Sequence, residues 1–216
     1  MTNNLANILN LLVAWLLYFG FHSSLASLRA KNWTAAHWPR FTPYYRLAYN
    51  LLATVLLIPP LWLVHSSQAD PLWTWHGAWR WLMDGLALVA IVAFWWSLRY
   101  YDMGEFLGIR RVADPGQDRR LALSPFHRFV RHPWYCFGLV IIWTRDMDPA
   151  WLASCLLITL YFAVGSRLEE RKLVVEFGAP YRRYQQRVPA LFPLPGQYLS
   201  RTEAEGITAT AKRPPG

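Results

Sequence analysis

Long uncharged apolar runs, broken by short blocks dense in Arg and Lys, set the terms for this chain. Five stretches stand out: residues 5–21, 47–64, 81–98, 133–144 and 149–166. The second contains Pro59-Pro60, a site for a kink, and the third a single acidic residue, Asp84, four positions after Arg80. A helix that crosses a bilayer needs about 20 apolar residues, with a range of about 17–25. Four runs reach that range. The fourth has only 12 residues and crosses only if Arg131 and Arg145 carry their charges outward to the interfaces; otherwise it is re-entrant. The tetrapeptide Arg145-Asp146-Met147-Asp148 reads as a tight polar turn of a helical hairpin. The expectation is an all-α integral membrane protein of five transmembrane helices. Composition agrees: hydrophobic residues make up 54% and charged residues 16%, against about 25% charged in a soluble domain. Disorder, collagen and a disulfide scaffold are excluded.

The charges orient this layout. Of the 22 Lys and Arg, all but Arg80 and Arg145 fall in the segments 23–46, 99–132 and 167–216. Basic residues concentrate on the cytoplasmic side of membrane proteins, which puts the N-terminus outside and the C-terminus in the cytoplasm. The net charge of +9 then reflects topology and calls for no nucleic acid. No basic residue precedes the first apolar run, so it reads as a retained span and not as a signal peptide. Residues 1–195 are expected to form one membrane domain and 196–216 a polar, disordered tail.

Much chemistry is missing. There is no phosphate-binding glycine loop, no GxSxG and no HExxH. The six His are scattered, and Cys136 and Cys155 lie in apolar runs without ligand spacing, so no metal site is expected. The spans hold few polar residues, against a transport path.

Two clusters flank the last two spans. One is Arg128-Phe129-Val130-Arg131-His132-Pro133-Trp134-Tyr135. The other is Arg167-Leu168-Glu169-Glu170-Arg171-Lys172, followed by Phe177-Gly178-Ala179-Pro180-Tyr181 and Tyr184. Antiparallel pairing of the two helices brings Arg131-His132 and Glu169-Glu170 to one end. Arg donates in pairs to a carboxylate, Glu accepts from an ammonium or from ribose hydroxyls, and aromatic faces attract a cation. Such a group suits a zwitterionic, nucleoside-like ligand. It also suits ordinary helix-end salt bridges. On a helix Glu170 shares a face with Ser166, Leu173, Val174 and Phe177, so it is the Glu expected to point inward, with Glu169 at the rim. Gly178 suits a helix end and Pro180 the opening of the next helix.

Arg131-His132-Pro133-Trp134-Tyr135 resembles the RHPxY motif of the integral-membrane methyltransferase superfamily, which includes isoprenylcysteine carboxyl methyltransferases and phospholipid methyltransferases. Glu169-Glu170 through Phe177-Gly178, then Tyr181, Tyr184 and Val188-Pro189, looks like its second motif. Phe21-His22-Ser23-Ser24-Leu25-Ala26-Ser27 is similar to the opening of a bacterial branch that holds NnrU-like proteins and methanethiol S-methyltransferases. Many members carry Gly two residues after the motif Tyr, whereas here Phe137 stands there and Gly138 follows. The resemblance implies a bacterial inner-membrane methyltransferase with S-adenosyl-L-methionine bound at the cytoplasmic ends of the last spans. His132, Tyr135, Glu169, Glu170 and Tyr181 would bind the cofactor. Arg131 would pair with its carboxylate or shape the site.

The acceptor side is expected in the N-terminal half. Membrane access suggests a small or lipophilic thiol or carboxylate, with surrounding membrane lipid as the other partner. Arg46, Tyr49 and Arg110 are the substrate-binding candidates, and His22 joins Arg131 and Glu170 as a catalytic one. A thiol must lose its proton, and Arg46, Arg110 and Arg131 are expected to stabilise the anion without a dedicated base. Two other readings compete. One is an NADPH-dependent membrane reductase of related fold, which the short chain disfavours. The other is a non-enzymatic NnrU-like membrane assembly factor, which would have no need of the Glu pair or the Arg-His-Pro.

Overall fold

The computed structural model describes residues 2–67, 69–110, 121 and 123–211. Arg111, Arg119, Arg120, Lys212 and Arg213, which contribute to the charge asymmetry, lie outside them. The described residues form nine α-helices: α1 (Thr2–Ala26), α2 (Leu28–His37), α3 (Tyr45–His65), α4 (Gly77–Ser97), α5 (Met103–Leu107), α6 (Pro133–Trp143), α7 (Pro149–Phe177), α8 (Ala179–Arg187) and α9 (Arg201–Thr210). Among the described residues, pairing between extended segments is limited to two isolated bridges, Trp73 with Met147 and Leu194 with Gln197.

Among the described residues, four segments are long and apolar enough to cross a membrane: Ala6–Ala26, Thr42–His65, Gly77–Tyr100 and Pro149–Phe177. They fit an integral membrane protein. The fifth expected crossing is α6, which has 11 residues and so measures about 16 Å against a hydrocarbon core of about 30 Å. Pro133 starts it, and Thr144 ends it as a C-cap. Arg131 turns in onto Glu170, and Arg145 Nη2 lies 3.2 Å from Asp84 Oδ1. Asp84 also takes the expected bond from Arg80 Nε, at 3.2 Å. α3 stays helical through Pro59 and Pro60.

The chain groups into two compact units. The first holds residues 1–76, 101–112 and 146–158. Its core is Leu11, Trp15, Val64 and Ala150, where the Trp15 indole donates to Ser154 Oγ at 2.8 Å. The polar turn expected before α7 closes here. Asp148 Oδ1 accepts from the N–H groups of Ala150 and Trp151, capping α7, and Asp146 Oδ1 accepts from Trp75 N–H. Met147, fully buried, exchanges main-chain bonds with Trp73.

The second unit holds residues 77–100, 113–145 and 159–216. α4 packs on α6, tied where the Trp134 indole donates to Ser97 Oγ at 2.7 Å. A second indole bond, Trp143 to Thr159 Oγ1 at 3.0 Å, ties α6 to α7. α7 stops at Phe177 because Gly178 takes φ +60° and ψ −132°, open to glycine alone. This is a glycine stop as expected, outside the left-handed helical basin. α8 then buries Tyr181, Tyr184 and Val188, spaced at helical period.

The polar segment from 196, expected as an unstructured tail, carries α9. Ser200 caps it by accepting from Glu203 N–H while Glu203 accepts from Ser200 N–H. Ala204 and Ala211 enter the same core as Tyr181 and Tyr184, with Ile207 beside them. Small residues on one face supply the contact, so overall polarity concealed it.

Candidate functional site

The two motifs meet in the second unit. Just before α6, Arg131 N–H and His132 N–H donate to the carbonyls of Pro189 and Ala190 at 2.8 and 3.0 Å. Pro189-Ala190, at the end of the second motif, is therefore the partner strip of Arg131-His132. Pro133 then opens α6 at a position where its missing N–H costs nothing.

The Arg131 side chain is spent inside the protein. Its Nε donates to Glu170 Oε1 at 2.7 Å and its Nη2 to Glu170 Oε2 at 3.1 Å. Its Nη1 donates to the carbonyls of Gln185 and Val188. Glu170, 8% exposed, also accepts from His132 Nε2 at 3.0 Å and from Gln185 Nε2 at 3.0 Å. A carboxylate has about four acceptor positions, and all of them are taken. The inward orientation expected of Glu170 is present. Its carboxylate nevertheless meets four protein donors, so it holds the site together from within. An outside ligand would have to displace one of them.

What faces outward is different. Glu169 is half exposed, with Oε2 3.6 Å from His132 Nδ1. Since Glu170 can only accept, His132 Nε2 carries the proton, and Nδ1 is directed to Glu169. The His132 ring stacks on Tyr135 with centroids 5.3 Å apart, and Tyr135 stacks on Phe162 at 4.5 Å. Gly138 lies against Phe162, where an added Cβ would sit 3.5 Å from the ring. Phe137 packs edge-on to Phe126. The one-residue shift of glycine thus keeps the small residue next to the stack. Tyr181 is buried in the α8 core, and burial, then the nearby Glu170 charge, push its hydroxyl pKa up.

Below the cluster, Tyr184 donates from its hydroxyl to the His127 carbonyl at 2.7 Å. Ser124 N–H donates to His127 Nδ1 at 3.1 Å. Burial, with His132 nearby, lowers the His127 pKa to about 4. His127 is thus a neutral internal acceptor.

The acceptor-side candidates belong to the first unit and have partners of their own. His22 Nε2 lies 2.7 Å from the Tyr49 hydroxyl. Arg46 donates to the Glu105 carbonyl at 2.7 Å and lies 3.6 Å from its carboxylate. Arg110 Nη2 donates to Asp102 Oδ1 at 3.1 Å. These two arginines fasten the α5 segment. Gly108, with φ +80°, lets that segment approach α3 so closely that a Cβ would fall 2.5 Å from Leu47 N. Each of the three arginines expected to stabilise an anion therefore already has a carboxylate.

Gln185 and Phe162 were not legible as site residues. Gln185 sits among Arg182, Arg183, Gln186 and Arg187 on a polar helix, and only its i+4 spacing from the motif Tyr181 hinted at a shared face. Among the described residues no group of three or more His, Cys, Asp or Glu could hold a metal ion.

Comparison with known proteins adds the class. The chain is 33% identical to the methanethiol S-methyltransferase of Pseudomonas deceptionensis, over 80% of its own length and 67% of that protein's. It is 31% identical to methanethiol S-methyltransferase 2 of Bradyrhizobium diazoefficiens, over 80% of this chain and 68% of that one. The Mycobacterium tuberculosis methanethiol S-methyltransferase is 28% identical over 82% and 74%. No family model and no solved structure matches. Apolar spanning helices and these relatives together define a membrane methyltransferase. The chain belongs to the methanethiol S-methyltransferase family.

Proposed function

We propose that this protein uses S-adenosyl-L-methionine to methylate a small thiol, from a site at the cytoplasmic ends of α6 and α7. The supporting observation is the Arg131–Glu170–His132 clamp, built from both sequence motifs, in a chain whose relatives bear methanethiol S-methyltransferase names. Methanethiol, the acceptor in those names, is the first acceptor to test.

The residues present fit a zwitterionic sulfonium nucleoside. Glu169 has an exposed carboxylate to accept from an ammonium, with His132 Nδ1 3.6 Å away and the Tyr135 ring stacked on His132; Tyr181, buried in the neighbouring core, is kept as a cofactor-side candidate by motif position. Bound S-adenosyl-L-methionine supplies a methyl group activated by its sulfonium charge. The chain itself aligns the ligands and keeps water away. Arg131 and Glu170 position His132 and so act through it. On the acceptor side, Arg46 and Arg110 are occupied by Glu105 and Asp102. The thiol proton is then assigned to His22, whose ring the Tyr49 hydroxyl orients.

The experiment is direct. Purified protein in detergent is expected to gain thermal stability with S-adenosylhomocysteine and to pass a labelled methyl group from the donor to methanethiol. Stabilisation by NADPH alone would favour the reductase reading, and no response to either ligand would defeat the proposal. The proposed orientation, with the C-terminus in the cytoplasm of a bacterial inner membrane, rests on the distribution of basic residues. A C-terminal reporter active only outside the cytoplasm would reverse it.

A further inference from the structure

In the first unit an open groove of about 920 Å³ runs beside α2, between the end of α1 and the start of α3. Trp33, Trp38, Phe41, Tyr45 and Leu52 give it an apolar wall, and its only charged lining residue is Arg29. The first acidic residue of the whole chain is Asp70, so this segment supplies cations without any carboxylate. Lys31 and Arg40 add to the same sign nearby. The groove also has a defined depth. One apolar segment ends at Ala26 and the next begins at Thr42, so α2 and its flanks lie where chain leaves and re-enters the membrane on one side. Trp and Tyr favour that depth, where one part of the ring is apolar and the other wet. Leu28, Trp33 and Trp38 are each more than half exposed, an arrangement that suits lipid and not water.

We propose that this groove binds one anionic phospholipid of the surrounding bilayer, with an acyl chain along Trp33, Trp38 and Leu52 and the phosphate on Arg29. Charge complementarity selects the headgroup. A zwitterionic lipid would bring a cationic group to a lining that holds Arg29 and no acid. The same argument disfavours a second copy, since two such faces would oppose like charges. The groove shares one lining residue, Tyr49, with the proposed acceptor side, but lipid retention is read without any methyl transfer.

Native mass spectrometry of the full chain in detergent tests it, with palmitoyl-oleoyl phosphatidylglycerol and the phosphatidylcholine of identical chains as probes. The parent is expected to retain the anionic lipid about fivefold more than the zwitterionic one, the effect of one well-placed cation. Arg29→Gln should erase that preference and Arg29→Lys should keep it. Trp33→Ala should lower retention of both lipids. An unchanged melting temperature and helical circular-dichroism signal in each variant show that the protein is intact. Equal retention of the two lipids by the parent, or an undiminished preference in Arg29→Gln, overturns the proposal. So does full displacement by inorganic phosphate, which would mark a simple anion site, or a lipid-free dimer, which would mark a second copy as the occupant.

Discussion

Glu170 receives the Arg131 guanidinium on both of its oxygens, at 2.7 and 3.1 Å, while both side chains remain about nine-tenths buried. Removing one partner of a buried pair leaves the other uncompensated, at a cost of about 3–5 kcal/mol. Glu170→Ala is therefore expected to lower the melting temperature sharply in detergent, whether or not ligand is present. Gln185→Leu removes only one of the four donors and is expected to cost about 1 kcal/mol. A Glu170→Ala variant as stable as the parent would show that the clamp does not hold the fold.

Glu169 should behave in the opposite way. Its carboxylate is half exposed, so Glu169→Gln is expected to change stability by less than about 0.5 kcal/mol. It should nevertheless weaken S-adenosylhomocysteine binding, since a neutral amide meets an ammonium less well. Isothermal titration beside thermal denaturation separates the two residues. Equal ligand affinity in parent and variant would remove Glu169 from the donor site.

His127 predicts a pH dependence of stability. Its pKa is about 4 in the folded protein, against about 6.5 in an unfolded chain. Between those values the unfolded chain holds more proton, so stability falls as pH drops through that window and is complete above it. Allowing for a partly exposed ring, the loss is on the order of 2 kcal/mol. It should be seen as a falling melting temperature from pH 7 to pH 4.5, about where such a group titrates. His127→Gln should flatten the curve. A parental curve already flat over that range would contradict the assignment.

His22 and Tyr49 make the acceptor side testable. If His22 takes the thiol proton, His22→Ala should lower kcat about 100-fold or more near neutral pH, the range of general-base contributions. The activity of the variant should recover as pH rises toward the thiol's own pKa. Tyr49→Phe should have a smaller effect on kcat and leave donor binding intact. An unchanged pH–rate profile in His22→Ala would return the reaction to simple electrostatic stabilisation of the thiolate.

Gly108 offers a purely conformational test. Gly108→Ala forces a Cβ to 2.5 Å from Leu47 N at φ +80°. A cost of about 1–3 kcal/mol is expected, with faster hydrogen exchange in residues 102–110 as the α5 segment loosens from α3. Unaltered exchange there would mean that the approach is not tight in solution.

The sequence made some of this legible and hid the rest for physical reasons. Glu170 could be assigned inward because helical period places it with Leu173, Val174 and Phe177, and its burial follows that face. Its saturation by four donors could not be seen, because Gln185 arrives from α8 and Arg131 and His132 from the segment before α6, not from α7. The apolar runs located the long helices but left α6 open, since at 11 residues its hydrophobicity comes without the usual length of a crossing. α9 was missed because Ala204 and Ala211 contribute little hydrophobic signal. The Ser200–Glu203 capping pair was the one local sign of it. The arginines of the first unit were visible as charges, but their partners Glu105 and Asp102 become neighbours only through the turn at Gly108.

Cys136 and Cys155, the only cysteines of the chain, are 7% and 1% exposed. The folded enzyme therefore presents no sulfhydryl of its own to solvent. In an assay with a thiol-reactive dye, every equivalent consumed by native protein solutions belongs to the added acceptor, and labelled methyl found on the polypeptide would signal denatured material instead of turnover. The same concealment leaves two natural reporters in place. Their appearance toward an alkylating reagent would time the opening of the helices without any engineered label.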